Sequence, residues 1–82
     1  GNEEVCFYAK NLSVKKVTPL SNGKHLRFDL ELPKVRGQAL YFNHGELYEQ
    51  YKNIEKINVV GKFSINVFNN FESVNIIIEG IK

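Results

Sequence analysis

The chain has 82 residues, of which 43% are hydrophobic and 24% charged, a balance typical of one folded soluble domain rather than of a disordered segment. No apolar run approaches the roughly 18 residues that a membrane-spanning helix needs, and the polar start of the chain does not resemble a secretory signal. The net charge of +2 is only mildly basic, but residues 5–28 contain lysine and arginine and no acidic residue. We therefore expect a positive surface on the first half of the chain.

The chain contains no methionine, so we expect it to be a piece of a longer protein. Residues 1–4 would then be a disordered tail or the remnant of a cleaved tag, and residues 5–82 would form a single domain. Cys6 is the only cysteine. It excludes an intrachain disulfide and fits a reducing, cytoplasmic setting.

Residues 5–18 predict a long first strand. Leu12 and Val14 have the two-residue spacing of one strand face, but Val17 follows Val14 by three residues. This indicates one extra residue and hence a β-bulge. Residues 19–23 end in Asn-Gly, the strongest short hairpin signal. Residues 24–32 then alternate cleanly as a second strand. Its inward side chains are predicted to be Leu26, Phe28, Leu30 and Leu32, and its outward side chains His25, Arg27, Asp29 and Glu31.

Residues 38–42 predict a third strand. The larger aliphatic and aromatic side chains Leu40 and Phe42 are expected to point inward, which places Tyr41 outward. Asn43, followed three residues later by Glu46, predicts a capping box and a helix over about residues 45–52.

Residues 56–68 and 71–81 predict the fourth and fifth strands, joined by a turn at Asn69 and Asn70. Gly61 in the middle of the fourth strand indicates a sharp bend. One face of that strand is expected to carry Ile57, Val59, Gly61, Phe63, Ile65 and Val67.

The predicted order is β-β-β-α-β-β. This is the order of the OB fold, a five-stranded Greek-key barrel, so the predicted class is all-β with one short helix. SH3-like barrels are the weaker alternative, because they usually have no helix at this point.

The chain offers little for catalysis. Asp29 is its only aspartate, and His25 and His44 have no spacing typical of a metal motif. We expect no catalytic residue, metal or cofactor in this piece.

Binding is a better prospect, because OB barrels bind oligonucleotides on the outer face of strands two and three and on the flanking loops. Cations with exposed aromatic side chains are typical of single-strand binding sites. The candidate contacts are Lys15, Lys16, Lys24, His25, Arg27, Tyr41, Lys62, Phe68 and Asn69. The plainer alternatives are a solvated lysine-rich face, a half-buried Tyr41 and a Phe68 that packs under the turn.

Five segments, taken in order, resemble the C-terminal OB domain of RecJ-type single-strand-specific DNA exonucleases over about residues 12–82. They are residues 23–28 (GKHLRF), 39–43 (ALYFN), 57–61 (INVVG), 65–70 (INVFNN) and 74–79 (VNIIIE). The chain departs from that family at Phe68 and Asn70, where members usually have tryptophan and glycine. It departs again at Asn75 and Glu79, where they usually have glutamine and aspartate.

The resemblance implies a cytoplasmic parent that degrades single-stranded DNA from 5′ to 3′ in repair and recombination. Its Mn²⁺ or Mg²⁺ site would lie in Asp-His-His phosphoesterase domains outside this piece. The expected partners are single-stranded DNA and those catalytic domains, with no membrane, and the fragment itself is expected to be a monomer. Lys24, His25 and Arg27 carry over as DNA contacts. An OB barrel that docks another protein, or one that binds RNA, remains an alternative.

Overall fold

The structure, a computed structural model, describes residues 5–82. The tail predicted for residues 1–4 lies outside the described residues. The five strands are β1 (Val5–Leu20), β2 (His25–Glu31), β3 (Arg36–Tyr41), β4 (Lys56–Phe68) and β5 (Phe71–Ile81). Between β3 and β4 lie a 3-10 turn (Gly45–Leu47) and a one-turn helix, α1 (Tyr48–Tyr51).

The strands close into a barrel in the order β1-β2-β3-β5-β4. All neighbouring strands are antiparallel except β3 and β5, which run parallel. An all-β chain with one short helix and a closed five-stranded barrel is what the strand order predicts, and the OB architecture is confirmed.

Closure depends on β1, which pairs with β2 through its C-terminal half and with β4 through its N-terminal half. Its register shifts against β2 between Val14 and Lys16, which confirms the predicted bulge, and it shifts against β4 between Ala9 and Leu12. Asn11 at the second shift has a left-handed φ of 56°. Its N–H donates to Asn58 Oδ1 at 2.7 Å. Such irregularities bend a strand, so one strand can serve both edges of the sheet.

The core lies inside the barrel and contains Leu26, Phe28 and Leu30, three of the four predicted inward residues, whereas Leu32 follows the end of β2 and is only partly buried against the core. The buried side chains are Val17, Leu26, Phe28, Leu30, Ala39, Ile57, Val59, Ile76 and Ile78. The Tyr51 ring meets Phe28 edge-on at a centroid distance of 6.0 Å, and Leu47 also packs on the core. The helical segment therefore covers one end of the barrel core, and it lies between the third and fourth strands as predicted. Within residues 5–82, no helix is long and apolar enough to cross a membrane.

The predicted phase of β3 is wrong. Ala39 is fully buried and pairs with Phe28, whereas Phe42 is 43% exposed and Leu40 is only half-buried. The reason is volume in the middle of the barrel, because the position opposite the buried ring of Phe28 has room only for a side chain as small as that of Ala39. Gly37, paired with Leu30, is a second small residue at such a position, and a Cβ there would collide with Leu32.

The predicted capping box is also wrong. Asn43 has a left-handed φ of 64°, the residue that caps the 3-10 turn is His44, and neither helical segment has a side-chain cap. The Asn43 N–H donates instead to His25 Nδ1 at 2.9 Å. The backbone thus turns sharply after β3 before it enters the helical segment.

The β4–β5 hairpin is longer than the barrel needs. Ile65 and Val67 have the predicted inward phase, but they are exposed because the hairpin extends past the end of the core. The bend predicted at Gly61 coincides with a register shift between Val60 and Gly61 in the pairing with β5.

Gly45 joins the helical segment to the β1–β2 turn. Its N–H donates to the Lys24 carbonyl oxygen at 3.0 Å, and a Cβ at this position would overlap the Gly23 carbonyl. Gly80 is a suitable comparison, because no atom lies within 4 Å of the Cβ it would acquire.

We expect Gly45→Ala to lower the free energy of unfolding by about 1–3 kcal/mol through overpacking. Gly80→Ala should change it by no more than about 1 kcal/mol, since a new methyl in open space creates no clash. Urea unfolding of both variants measures the difference. Equal effects of the two substitutions would contradict the close contact at Gly45.

Candidate nucleic-acid interface

Backbone pairing aligns the outward side chains of β2, β3, β5 and β4 in rows across the sheet. The rows are Arg27, Leu40, Ile77 and Lys62; then Asp29, Gln38, Asn75 and Ser64; then Glu31, Arg36, Ser73 and Asn66. The four strands therefore present one outer face, which is cationic at several points and polar across its middle.

A groove of about 810 Å³ crosses this face between the bulge of β1 and the strands β2, β3 and β5. We call it the basic groove, because its walls include Lys15, Lys16, Arg27 and Arg36. Its floor includes the uncharged polar residues Gln38, Ser73 and Asn75, and its acidic lining residue is Asp29. Cations therefore outnumber carboxylates along the groove, which favours an anionic ligand.

The bulge explains why two consecutive lysines line the same groove. Successive side chains of a regular strand point to opposite faces, but the register shift between Val14 and Lys16 leaves Lys15 as an extra residue. Both lysines are exposed and both border the groove. The sequence prediction that named Lys15 and Lys16 as candidates is consistent with this placement.

Arg27 is one of the four cations that line the groove. Its Nε lies 3.3 Å from Asp29 Oδ1, but the two atoms are not aligned for a hydrogen bond. Thr18, paired with Arg27 across β1 and β2, has a buried hydroxyl that likewise makes no hydrogen bond to the described residues. Both unpaired atoms are buried, so they lie beneath the surface of the groove and are not open to a ligand.

The middle of the groove contains two carboxamides in contact. Gln38 Nε2 donates to Asn75 Oδ1 at 2.8 Å across the parallel pairing of β3 and β5. This bond holds both side chains in place, and each retains a further donor or acceptor.

A second groove, of about 580 Å³, continues from the first. The two share Val35, Arg36 and Ser73, and the second is bordered by Lys34 and by the exposed rings of Phe68 and Phe71. Phe68 therefore does not pack under the turn, which was the plainer alternative for this residue. We call the part of the second groove that Lys34, Phe68 and Phe71 border the aromatic end of the groove.

The opposite end of the outer face contains His25. Its Nδ1 accepts the Asn43 N–H, so the proton of a neutral ring resides on Nε2, and its ring meets Phe42 edge-on at 5.2 Å. Lys24 is exposed in the turn that precedes β2. Both candidates lie beside the face, yet neither lines the two grooves.

Tyr41 does not have the outward position predicted for it. It pairs with Leu26, packs against the core and stacks on His44 at a centroid distance of 4.1 Å and an interplanar angle of 21°. The cause is the wrong inward and outward assignment predicted for β3. The exposed aromatic ring just after the end of this strand belongs to Phe42.

The last two candidates lie on β4 and its turn. Lys62 is exposed and ends the row that begins with Arg27, while Asn69 lies in the β4–β5 turn with a left-handed φ of 50°. The structure thus gathers Lys15, Lys16, Arg27 and Phe68 around the connected grooves and leaves the other candidates at the periphery.

Sequence reasoning missed Lys34, Arg36, Gln38, Asn75 and Phe71, all of which line the connected grooves. A signal existed for Phe71, because a two-residue turn at Asn69 and Asn70 makes Phe68 and Phe71 direct cross-strand partners. Arg36 and Gln38 follow only once the phase of β3 is known. Among residues 5–82, no group of three histidine, cysteine or acidic side chains is arranged to hold a metal ion.

The corrected orientation of β3 can be tested by comparing two aromatic truncations. Tyr41→Ala should cost about 2 kcal/mol of unfolding free energy, because it removes a ring that packs on the core. Phe42→Ala should cost less than about 1 kcal/mol, because it loses mainly the edge contact with His25. Thermal or urea unfolding ranks the two variants, and a larger loss for Phe42→Ala would restore the original prediction.

Comparison with known proteins agrees with the architecture. The family model described as RecJ OB domain matches residues 1–80. No curated protein and no solved structure shows significant similarity to the chain. Because the family match spans nearly the whole chain, and the strands close into the barrel expected of an OB fold, this chain belongs to the RecJ OB domain family.

Proposed function

We propose that this chain is the single-stranded-DNA-binding domain of a RecJ-type 5′-to-3′ exonuclease, a cytoplasmic enzyme of DNA repair and recombination. The observation that carries the proposal is the basic groove on the outer face of β2, β3 and β5 in a member of the RecJ OB domain family. OB barrels that bind oligonucleotides use this face.

The groove suits a sugar-phosphate backbone. Lys15, Lys16, Arg27 and Arg36 can neutralise phosphates and release their counterions, while the carboxamides of Gln38 and Asn75 can hydrogen-bond sugar or base atoms. Arg27 lines the groove with a partly exposed side chain, and its ion pair with Asp29 uses Nε, so the terminal nitrogens of the guanidinium are the atoms that would meet a phosphate.

In this proposal the domain grips the strand and does not cut it. Hydrolysis takes place in catalytic phosphoesterase domains of the parent protein, which would hold Mn²⁺ or Mg²⁺. The domain acts as a monomer that delivers the strand to those domains, which are its second partner.

A protein-docking role is a second candidate, favoured by the exposed side chains of Ile65 and Val67 on the projecting hairpin. It predicts little affinity of the chain for any oligonucleotide. An RNA-binding role predicts that an RNA strand competes at least as well as a DNA strand of equal length.

The first test is the charge dependence of binding to an eight-nucleotide oligothymidine, measured by fluorescence anisotropy. If the four cations of the basic groove contact phosphates, log Kd should rise with log salt at a slope of about 3, from about 0.7 per contact. Lys15→Glu/Lys16→Glu should weaken binding about tenfold or more at low salt and halve the slope.

The matched control is Lys10→Glu/Lys56→Glu, which changes the net charge equally at exposed lysines that border neither groove. Lys52 is less suitable, because its ammonium donates to Glu49 at 2.7 Å, a contact that raises the pKa of Lys52. Equal losses in the two double variants would show that net charge alone drives binding and would contradict a specific groove.

A substitution of Asp29 should raise the affinity for the oligonucleotide, whereas the lysine substitutions should lower it. Asp29→Asn removes the carboxylate beside Arg27, so we expect binding of the same oligonucleotide to tighten about two- to fivefold at low salt. Glu55→Gln, at an exposed site outside the grooves, should leave affinity within about twofold. Weaker binding by Asp29→Asn would mean that the carboxylate contacts the ligand itself.

A further inference from the structure

The β4–β5 hairpin exposes two phenylalanine rings where it projects past the barrel. Phe68 is 76% exposed and Phe71 is 77% exposed, and the two residues are direct cross-strand partners. Asn69 and Asn70 between them both adopt left-handed φ values, of 50° and 67°. This turn places the two phenylalanines next to each other on the hairpin, because directly opposed residues on a strand pair have Cβ atoms only about 5 Å apart.

The two rings share a face with the rows described above. Phe68 continues the outward phase of Ser64 and Asn66 on β4, and Phe71 continues that of Ser73 and Asn75 on β5. Ile65 and Val67 alternate with them and so point to the other face of the same hairpin. The hairpin thus has one aromatic face toward the grooves and one aliphatic face away from them.

Cations border the aromatic end. Lys34 and Arg36 line the second groove together with both rings, and Arg36 also lines the basic groove. The positive wall is therefore continuous from the bulge of β1 to the hairpin. Glu72 also lines the second groove, so two cations and one carboxylate border this end, although the strand phase of Glu72 is opposite to that of Phe71.

We propose that Phe68 and Phe71 form a platform on which unpaired bases of the bound strand stack, while Lys34 and Arg36 hold the adjacent phosphates. The platform ends the path of the strand across the domain. This inference rests on the proposed function and adds the site at which bases, rather than phosphates, are bound. It gives Phe71 and Lys34 a role that the sequence alone did not suggest.

A single strand fits this arrangement better than a protein partner does. Exposed aromatic rings flanked by lysine and arginine along a continuous cationic groove have the composition of a single-strand binding site. An apolar protein surface would gain nothing from the bordering cations and would have to desolvate them. The binding experiment below therefore includes a result that would indicate protein docking instead.

The geometry also limits the length of the bound strand. Ile77 to Phe71 along β5 spans six residues, or about 20 Å at the usual strand rise. At the duplex rise of about 3.4 Å per nucleotide this path holds at most about six nucleotides, and an extended single strand, which has a longer rise, needs fewer. An eight-nucleotide probe therefore covers the whole path.

The experiment compares Phe68→Ala/Phe71→Ala with Ile65→Ala/Val67→Ala in binding an eight-nucleotide oligothymidine. Both double variants truncate exposed apolar residues of the same hairpin, on opposite faces. We expect the phenylalanine variant to bind about tenfold to a hundredfold more weakly with an unchanged salt slope, because stacking and not phosphate contact is lost. The aliphatic variant should bind within about twofold of the original chain.

A second measurement does not depend on the stability of the alanine variants. The chain contains no tryptophan, so Phe71→Trp introduces a single fluorescent reporter at the platform. Oligothymidine should quench its emission, whereas an abasic strand with the same number of phosphates should bind without quenching.

The results separate this inference from the function on which it rests. The platform is overturned if both hairpin double variants retain full salt-dependent binding, or if no oligonucleotide quenches the tryptophan. In either case the basic groove remains as the proposed site. Equal losses in both double variants also overturn it, because the hairpin would then act only as general support or as a protein-docking element. If the unmodified chain binds no oligonucleotide at low salt, both proposals fail.

Discussion

Closure of the barrel by β1 is the constraint on which the rest of the structure depends. One strand must pair with β2 at one end and with β4 at the other, and it does so through two irregularities in its register. The irregularity near Val14 also places Lys15 and Lys16 together at the wall of the basic groove. An irregularity that the backbone needs for closure thus supplies two of the four cations of the basic groove.

The space available inside the barrel determines which residues of β3 point to that outer face. Phe28 and Leu30 fill the barrel, so the facing positions of β3 must be as small as Gly37 and Ala39. Once those residues point inward, Arg36 and Gln38 point outward, because side chains alternate along a strand. Gln38 then meets Asn75 across the parallel pairing with β5. The polar floor of the groove is therefore a consequence of core packing.

The sequence predicted the strand order, the OB barrel, the bulge in β1 and the alternation of β2, because each has a strong local signal. It failed at β3, where hydrophobicity favoured Leu40 and Phe42 as inward residues although the volume of Phe28 on the neighbouring strand excludes them. It named Lys15, Lys16, Arg27 and Phe68, which lie on well-predicted strands and line the connected grooves. It missed Arg36, Gln38 and Asn75, because their common groove arises from pairing between strands that are distant along the chain.

The most direct test of the central claim is an amide-by-amide titration of isotope-labelled chain with an eight-nucleotide oligothymidine. Binding in the groove predicts that backbone amide shifts concentrate at Lys15, Lys16 and residues 27–29, 36–38 and 73–75. The face that carries Tyr8 and Lys10, which lines neither groove, should not respond. Shifts confined to that face, or none at low salt, would contradict the account.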